Sequence, residues 1–272
     1  MRRLRVTTWN VNGIRAAARK GLVERIDGLK TDVLLLQEVR ATPDQLDLGL
    51  LAELESRFEH IVWHPAEKLG YSGVALLSRV EPAEIRFGLD QRKRRGAHDD
   101  EGRVIVARFE LERGPVRVMN IYMPSGSSGE HRQAIKDVWL ERTEPLFRSL
   151  ARSPIATLVC GDINTAHDER DIFHAKSNRN SSGFLPHERA WYGRLLEQGW
   201  RDTLRESAGD VPGPYTWWSM RGQAMKLDRG WRIDHVFANA RAATLVESTV
   251  VDREAAIGCS DHAPVTTTVR MA

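Results

Sequence analysis

The chain of 272 residues is 41% hydrophobic and 28% charged, with a formal net charge of +3. This balance is ordinary for a soluble globular protein, and the length allows a sizeable core. The mild positive charge permits nucleic-acid binding but does not establish it, because what matters is whether the charge clusters on one face.

Cysteine content and the amino terminus exclude two further classes of protein. Cys160 and Cys259 are too few for a disulfide framework and indicate a reducing compartment. The opening segment MRRLRVTTWN passes directly into an alternating strand pattern, without the apolar core of a secretory signal. No apolar run approaches the ~18 residues needed to cross a bilayer. We therefore expect a cytoplasmic protein without membrane association.

The first part of the chain alternates between strand and helix patterns. Residues 4–10 and 32–37 are predicted strands, and a helix is predicted over 15–29 between them. The segment Thr42–Gln45 is typical of a helix start, with a capping threonine, a proline at the first helical position and a glutamine three residues after the cap. Three leucines then follow at helical spacing: Leu46, Leu50 and Leu54.

Most of the remaining chain shows short strand patterns. Long helices are predicted over 130–151, with Pro145 expected to kink or break the helix, and over 186–198, opened by Pro186. The predicted strands are 60–64, 73–79, 83–87, 102–111, 115–122, 155–160, 215–218, 232–238, 244–251 and 264–270. Without a linker or a repeat, this pattern predicts one domain over 1–272, made of two packed sheets with helices outside.

Polar side chains recur where apolar strands end. The five stretches are Thr8-Trp9-Asn10, Leu36-Gln37-Glu38, Gly161-Asp162-Ile163-Asn164, Arg232-Ile233-Asp234-His235 and Ser260-Asp261-His262. Each alone has a structural explanation, such as an Asx turn at Asp162 or a structural histidine at His262. Together they are harder to explain, because clustered carboxylates are costly unless a cation or hydrogen bonds compensate them.

The ligand types in this set indicate the kind of cation. The set is rich in oxygen and contains neither cysteine nor a His-x-x-x-His pair; its members are Asn10, Glu38, Asp162, Asn164, Asp234 and Asp261. Carboxylate and amide oxygens favour a hard ion such as Mg²⁺, with Mn²⁺ as a substitute, over zinc.

These residues lie within motifs that closely resemble the exonuclease III type of AP endonuclease, in the endonuclease/exonuclease/phosphatase superfamily. The motifs follow the family order and span the chain: TWNVNGIRAA (8–17), LLLQEV (34–39), GYSGVALLSR (70–79), EGRVI (101–105), NIYMPSG (120–126), GDINTAHDERDI (161–172), SGFLPHERAW (182–191), YTWWSMR (215–221), GWRIDHVF (230–237) and SDHAPV (260–265). The resemblance implies an α/β fold, a four-layer αββα sandwich of two mixed sheets.

The resemblance also implies roles for individual residues. Glu38 would be the main metal carboxylate, with Asn10 and Asp261 beside it. Asp162 would activate the attacking water or protonate the leaving oxygen, and Asn164 would orient the water or the phosphate. His262 would bond a non-bridging phosphate oxygen, with Asp234 holding and charging its ring, and Tyr122 would donate to the same phosphate. The full implied metal set is Asn10, Glu38, Asp162, Asn164, Asp261 and His262.

The implied substrate is double-stranded DNA with abasic sites or blocked 3′ ends. The implied activity is base-excision repair by a monomer: incision 5′ to an abasic site to leave a 3′-hydroxyl, with 3′–5′ exonuclease and 3′-end-cleaning activity. Trp217, Trp231 and Ile233 match the apolar pocket that accepts a flipped-out abasic sugar in this family. The alternative is that the two tryptophans are core aromatics, since the chain has eight tryptophans.

One loop departs from the family pattern. Ser125–Gly129 is small, whereas the family usually carries longer side chains there that wedge into the duplex. DNA contacts are therefore predicted elsewhere, at Arg15, Lys176, Arg179 and the basic run Arg92–Arg95.

Two other functions stay open at this stage. A catalytically inactive nucleic-acid-binding protein of the same fold is disfavoured because such a protein should have lost Glu38, Asp162, Asp234 or His262. A phosphatase or non-DNA phosphodiesterase is disfavoured by the tryptophan pocket.

Overall fold

The computed structural model describes residues 3–89 and 99–271, and these contain two six-stranded β-sheets. The strands are β1 (Arg3–Asn10), β2 (Val33–Gln37), β3 (His60–His64), β4 (Val74–Ser78), β5 (Glu84–Phe87), β6 (Val104–Leu111), β7 (Gly114–Tyr122), β8 (Ala156–Asp162), β9 (Arg201–Asp202), β10 (Asp234–Ala238), β11 (Val246–Val251) and β12 (Val265–Arg270). The helices are α1 (Ile14–Ala18), α2 (Leu22–Leu29), α3 (Leu48–Glu55), α4 (Glu130–Ala151), α5 (Pro186–Glu197), α6 (Thr203–Ala208), α7 (Ala240–Ala243) and α8 (Arg253–Ala256).

Both sheets are mixed. The first has the order β11-β12-β1-β2-β4-β3 and the second β5-β6-β7-β8-β10-β9. Each sheet contains one parallel pair near its centre, β1 with β2 and β7 with β8, and its other pairs are antiparallel. The carboxyl ends of each parallel pair therefore lie at the same edge of a sheet, which is where the polar motifs occur.

The alternation of side chains along the strands produces the layers. In β6, Ile105, Ala107 and Phe109 belong to the core between the two sheets, whereas Val104 and Val106 belong to the core beneath α4 and α5. A third apolar cluster packs the helices α1 to α3 on the other sheet. The predicted four-layer α/β sandwich is thereby confirmed, since two sheets face each other and helices cover both outer faces.

Several predicted elements differ in the structure. The predicted helix over 15–29 is two helices, because Gly21 takes a left-handed conformation with φ of 80° between α1 and α2. Thr42 caps only a 3₁₀ turn at Pro43–Gln45, and the helix begins later, where Asp47 Oδ1 accepts the Gly49 N–H at 2.8 Å.

Pro145 does not break α4, which is continuous over Glu130–Ala151. The ring lies on the exposed side of the helix, and Trp139, Leu140, Phe147 and Leu150 anchor the opposite side in the core. The predicted strand at 215–218 is also wrong. That segment makes only isolated bridges, from Trp217 to Trp231 and to His262.

Some parts of the fold and of the chain fall outside the sequence predictions. The elements β9 and α6 carry no clear strand or helix signal and were not predicted. The predicted basic run Arg92–Arg95 lies outside the described residues. Among residues 3–89 and 99–271, no helix combines the length and apolarity needed to span a bilayer.

A buried ion cluster joins the second sheet to the loop that follows β8. The Arg232 guanidinium is 1% exposed and donates to both oxygens of Asp171, at 2.8 and 2.9 Å, and to Asp202 at 2.7 Å. Burial raises the pKa of each carboxyl, but Arg232 outweighs that effect and holds both pKa values at about 2. The cluster therefore stays ionised at neutral pH.

We predict that Arg232→Met lowers the free energy of unfolding by about 3–5 kcal/mol, because buried Asp202 loses its arginine and buried Asp171 loses one of two arginine partners, keeping Arg205. Urea denaturation at pH 7 measures the loss. Arg201→Met is the matched control, since its pair with Glu206 is exposed and should contribute only about 0–1 kcal/mol.

The sign of the pH dependence gives a second check. The stabilisation of Asp171 and Asp202 is complete above their ordinary pKa near 3.8 and is lost as the pH falls through about 2. The difference in stability between Arg232→Met and the wild type should therefore shrink over that range. A difference that stays constant would contradict the assignment.

Candidate active site

The predicted site residues converge on one cleft of about 710 Å³. Glu38 follows β2, and Tyr122 and Asp162 end β7 and β8. The cleft is lined by nine of the predicted residues: Glu38, Tyr122, Asp162, Asn164, Trp217, Trp231, Ile233, Asp261 and His262. Asn10 and Asp234 are fully buried behind this lining and contact it.

Gly161 explains how Asp162 comes close to Tyr122. A Cβ at residue 161 would lie 1.8 Å from the Ile121 carbonyl oxygen, and the residue has a φ of +150°, so only glycine fits. The close approach pairs Tyr122 with Asp162 across the parallel strands. Glu38 and Asn164 have φ values of 49° and 53°, a conformation that is uncommon outside glycine and clusters at functional sites.

Asp162 is the most perturbed carboxyl of the cleft. Its oxygens accept from the Asn164 N–H at 2.8 Å and from the amides of Asn10 and Asn164 at 2.9 and 3.2 Å. Burial and the neighbouring Asp234 and Glu38 carboxylates nevertheless raise its pKa to about 7, although His262 opposes the shift. A group with a pKa near neutrality is suited to exchange protons with a substrate or water.

His262 and Asp234 form a buried pair. The two oxygens of Asp234 lie 2.9 and 3.2 Å from Nδ1 of His262, and the Trp9 indole N–H donates to the His262 carbonyl at 2.8 Å. Burial alone would lower the pKa of the imidazole, but Asp234 and Asp162 raise it to about 10. The ring therefore favours its cationic form, with Nε2 directed to within 3.9 Å of Asp162 Oδ2.

Glu38 and Tyr122 also line the cleft and contact each other. The Tyr122 hydroxyl donates to Glu38, and Arg40 contacts the other oxygen of that carboxylate at 2.5 Å. Burial and the Glu38 charge raise the pKa of Tyr122 well above its ordinary value, so the hydroxyl keeps its proton.

Asp261 connects the carboxylates to the aromatic wall. Its oxygens accept from the Asn12 side-chain amide at 2.8 Å and from the Trp217 indole at 3.1 Å. Neither Asn12 nor Arg40 was predicted. Asn12 lies in the motif at 8–17 and Arg40 directly follows the motif at 34–39, but single polar residues near the end of a strand carry no signal of their own.

The donor set fits a hard divalent cation. Ligand atoms of Asp162, Asp234 and His262 lie within 4.8 Å of one another. Both Asp234 oxygens face the His262 ring, so the cleft-lining carboxylates that would hold a cation are Glu38, Asp162 and Asp261. The raised pKa of Asp162 reflects its burial and the charges of Asp234 and Glu38, an effect that a cation would relieve.

Trp217, Trp231 and Ile233 form an apolar wall of the cleft. The two indole rings meet edge to face with centroids 6.2 Å apart, and they pack on a cluster that includes Phe184 and Ile172. Both indoles are half-buried and line the cleft, so they are part of the core and of the site surface.

The predicted DNA-contact residues lie outside the cleft. Arg15, Lys176 and Arg179 are exposed, and Arg179 pairs with Glu169 at 2.8 Å. The Ser125–Gly129 loop, in contrast, lines the cleft directly. Contacts of these segments with DNA stay predictions.

Comparison with known proteins places the chain in a family. The model described as the endonuclease/exonuclease/phosphatase family matches residues 7–262, and the chain belongs to this family. An exodeoxyribonuclease of Bacillus subtilis is 35% identical over 266 residues, covering 96% of this chain and 98% of the relative. The DNA repair nuclease APEX1 of Danio rerio is 35% identical over 266 residues, covering 97% of this chain and 81% of the relative.

Solved structures agree with the fold. An AP endonuclease from Leishmania major superposes with a TM-score of 0.87 at 25% identity, covering 100% of this chain and 89% of that one. A 3′ phosphatase from Neisseria, bound to a product DNA hairpin, superposes with a TM-score of 0.84 at 29% identity, covering 98% of this chain and 99% of that one.

We predict that Asp234→Asn returns the pKa of His262 from about 10 toward 6.5, because Asp234 is the largest influence that favours the charged ring. Nitrogen-15 NMR of the imidazole in metal-free protein measures the titration. Asp261→Asn is the control and should leave the pKa well above 6.5, since Asp261 contributes less. An equal fall in the pKa of His262 in the two variants would contradict the pairing of His262 with Asp234.

Proposed function

We propose that this chain is a divalent-metal-dependent DNA phosphodiesterase that incises 5′ to abasic sites, leaves a 3′-hydroxyl and also trims 3′ ends. The chain is a DNA-repair nuclease of the kind represented by its relatives. The single observation that supports this activity best is the arrangement of Asp162 and the Asp234–His262 pair, within 4.8 Å, beside the aromatic wall.

Glu38 would hold the cation together with Asp261, and Asn10 would lie beside them. When bound, Mg²⁺ or Mn²⁺ would supply positive charge that stabilises the phosphoryl oxygens. The two amides that donate to Asp162 would keep its carboxyl oriented, so that it either takes a proton from the attacking water or gives one to the leaving oxygen. Asn164 would orient the water or the phosphate.

His262 and Tyr122 would bind the phosphate. A protonated His262 donates from Nε2 to a non-bridging oxygen, and Asp234 keeps the ring oriented and charged. Tyr122, whose hydroxyl donates to Glu38 in the structure, would turn that hydroxyl to the same phosphate. A cationic ring does not ligate a metal, so we favour this role of His262 over its predicted place in the metal set.

The aromatic wall supports the choice of substrate. An abasic deoxyribose presents an apolar face that would pack against Trp231, Trp217 and Ile233, whereas a nucleotide with its base carries bulk that the wall would exclude. We further propose a single catalytic domain over 1–272, acting as a cytoplasmic monomer on double-stranded DNA.

A labelled duplex with one abasic-site analogue tests the activity. We expect the wild type to incise it in Mg²⁺ and to lose incision in EDTA, with Mn²⁺ restoring the rate. Asp162→Asn should lower the rate by ~10²–10⁴, the usual contribution of general acid–base catalysis. A wild type that does not cut the duplex in either Mg²⁺ or Mn²⁺ would refute the proposal. Parallel assays on a recessed 3′ end and on a 3′-phosphate give the rates of 3′ trimming relative to abasic-site incision.

A tryptophan substitution tests the pocket. Trp231→Ala should slow abasic-site incision far more than 3′–5′ digestion of an undamaged end, because only the first reaction needs the apolar wall. Trp63→Ala is the matched control, since Trp63 is also half-buried but lies on β3, outside the cleft lining. Equal loss of both activities in Trp231→Ala would show that this ring serves only the core.

A further inference from the structure

A fully buried ion pair lies behind the cleft, between α4 and α5. Lys136 and Glu188 are both 0% exposed, and the ammonium nitrogen lies 2.6 Å from a carboxylate oxygen. Burying two charges costs several kcal/mol per ion, and apolar residues of similar volume often stabilise a protein equally well. The pair therefore needs an explanation other than stability.

Lys136 makes a second contact, to the site itself. Its ammonium donates to the Asn164 carbonyl at 2.7 Å. Asn164 is held in the left-handed conformation that turns its side-chain amide toward Asp162 Oδ2, at 3.2 Å. Without a donor at that carbonyl, the strained backbone of Asn164 would lose a contact that favours it.

Glu188 holds the segment on the other side of Asn164. One of its oxygens accepts from the N–H groups of Gly183 and Leu185, at 2.7 and 2.9 Å, and the other accepts from Gln133 at 3.1 Å. Gly183 packs so closely on Trp231 that a Cβ there would lie 3.2 Å from the indole ring. The carboxylate thus fixes the backbone that supports the aromatic wall.

We propose that Lys136 and Glu188 are positioning residues. Together they would fix the position of Asn164 relative to the aromatic wall at Trp231. The inference rests on the proposed function for what those two parts of the site do. Lys136 acts through Asn164 and therefore affects the cleavage of every phosphodiester at this site. Glu188 acts through Gly183 and Trp231 and therefore affects abasic substrates more than 3′ ends.

The test uses variants that separate position from stability. Lys136→Met alone leaves the Glu188 carboxylate buried without a cation and would destabilise the fold. The double variant Lys136→Met/Glu188→Met removes both charges and both hydrogen-bonding groups at similar volume and is the main variant. Lys136→Met/Glu188→Gln is compared with it, because the glutamine oxygen still accepts from the Gly183 and Leu185 N–H groups. Leu140→Ala is the matched control, because it removes a buried apolar contact on the same helix and its side chain makes no hydrogen bond to Asn164 or Glu188. Rates are measured well below the thermal midpoint of every variant.

We expect the double variant to lower kcat about tenfold or more on both substrates, with KM within about twofold, because small misplacements at a reacting centre are costly. Compared with Lys136→Met/Glu188→Gln, the double variant should lower kcat for abasic incision at least about threefold more than for 3′ trimming. Leu140→Ala should lower stability and keep kcat. A double variant with wild-type kcat on both substrates would overturn the inference.

A second measurement does not depend on activity. Hydrogen exchange at the Gly183 and Leu185 amides should accelerate in Lys136→Met/Glu188→Met and stay slow in Leu140→Ala under the same native conditions. Unchanged exchange in Lys136→Met/Glu188→Met would overturn the inference. A wild type that cleaves neither substrate would refute the proposed function instead, and the exchange data would still decide whether Glu188 positions this segment.

Discussion

The structure depends on holding several carboxylates together at one end of two packed sheets. Asp162 has its pKa raised to about 7 by burial and by the charges of Asp234 and Glu38, which shows that this concentration of charge is unfavourable without compensation. Rigid strands on either side keep the groups from moving apart. The compensation comes from amides of Asn10 and Asn164, from the His262 ring and from the cation that we propose. The same repulsion between the carboxylates would favour the binding of a cation.

Much of this site could be predicted because its residues follow a local rule. Asn10, Glu38, Tyr122 and Asp162 stand where strands end, and the two parallel pairs bring those ends to common edges. Asp234 begins β10 and His262 precedes β12, and both strands run antiparallel to these pairs, so their starts lie at the same edges. The sandwich was predicted from the many short strand patterns and few helices, and the two faces of strands such as β6 do pack on different layers. Both signals extend over a few residues and are visible in a sequence.

The features that escaped prediction depend on tertiary contacts. The break between α1 and α2 requires a left-handed Gly21, but a glycine inside a helical pattern does not say whether the chain turns there. Lys136 and Glu188 are 52 residues apart, and each would be assigned to the exposed face of its own helix until the two helices pack together. Nothing in the sequence around Arg232 likewise indicates partners at Asp171 and Asp202. Burial of charge is a property of the assembled fold.

The site has two parts, the proposed metal carboxylates and the aromatic wall, and they differ in how readily their residues can be substituted. Trp217 contacts both: its indole donates to Asp261 at 3.1 Å, and its ring meets Trp231 edge to face. Replacing Trp217 therefore disturbs a proposed metal carboxylate and the pocket together. Trp231 contributes to the wall through its ring and pairs with Trp217 through the backbone, which a substitution preserves. A family member that changed its preferred substrate without losing its chemistry would therefore change Trp231, or the Gly183 segment behind it, rather than Trp217.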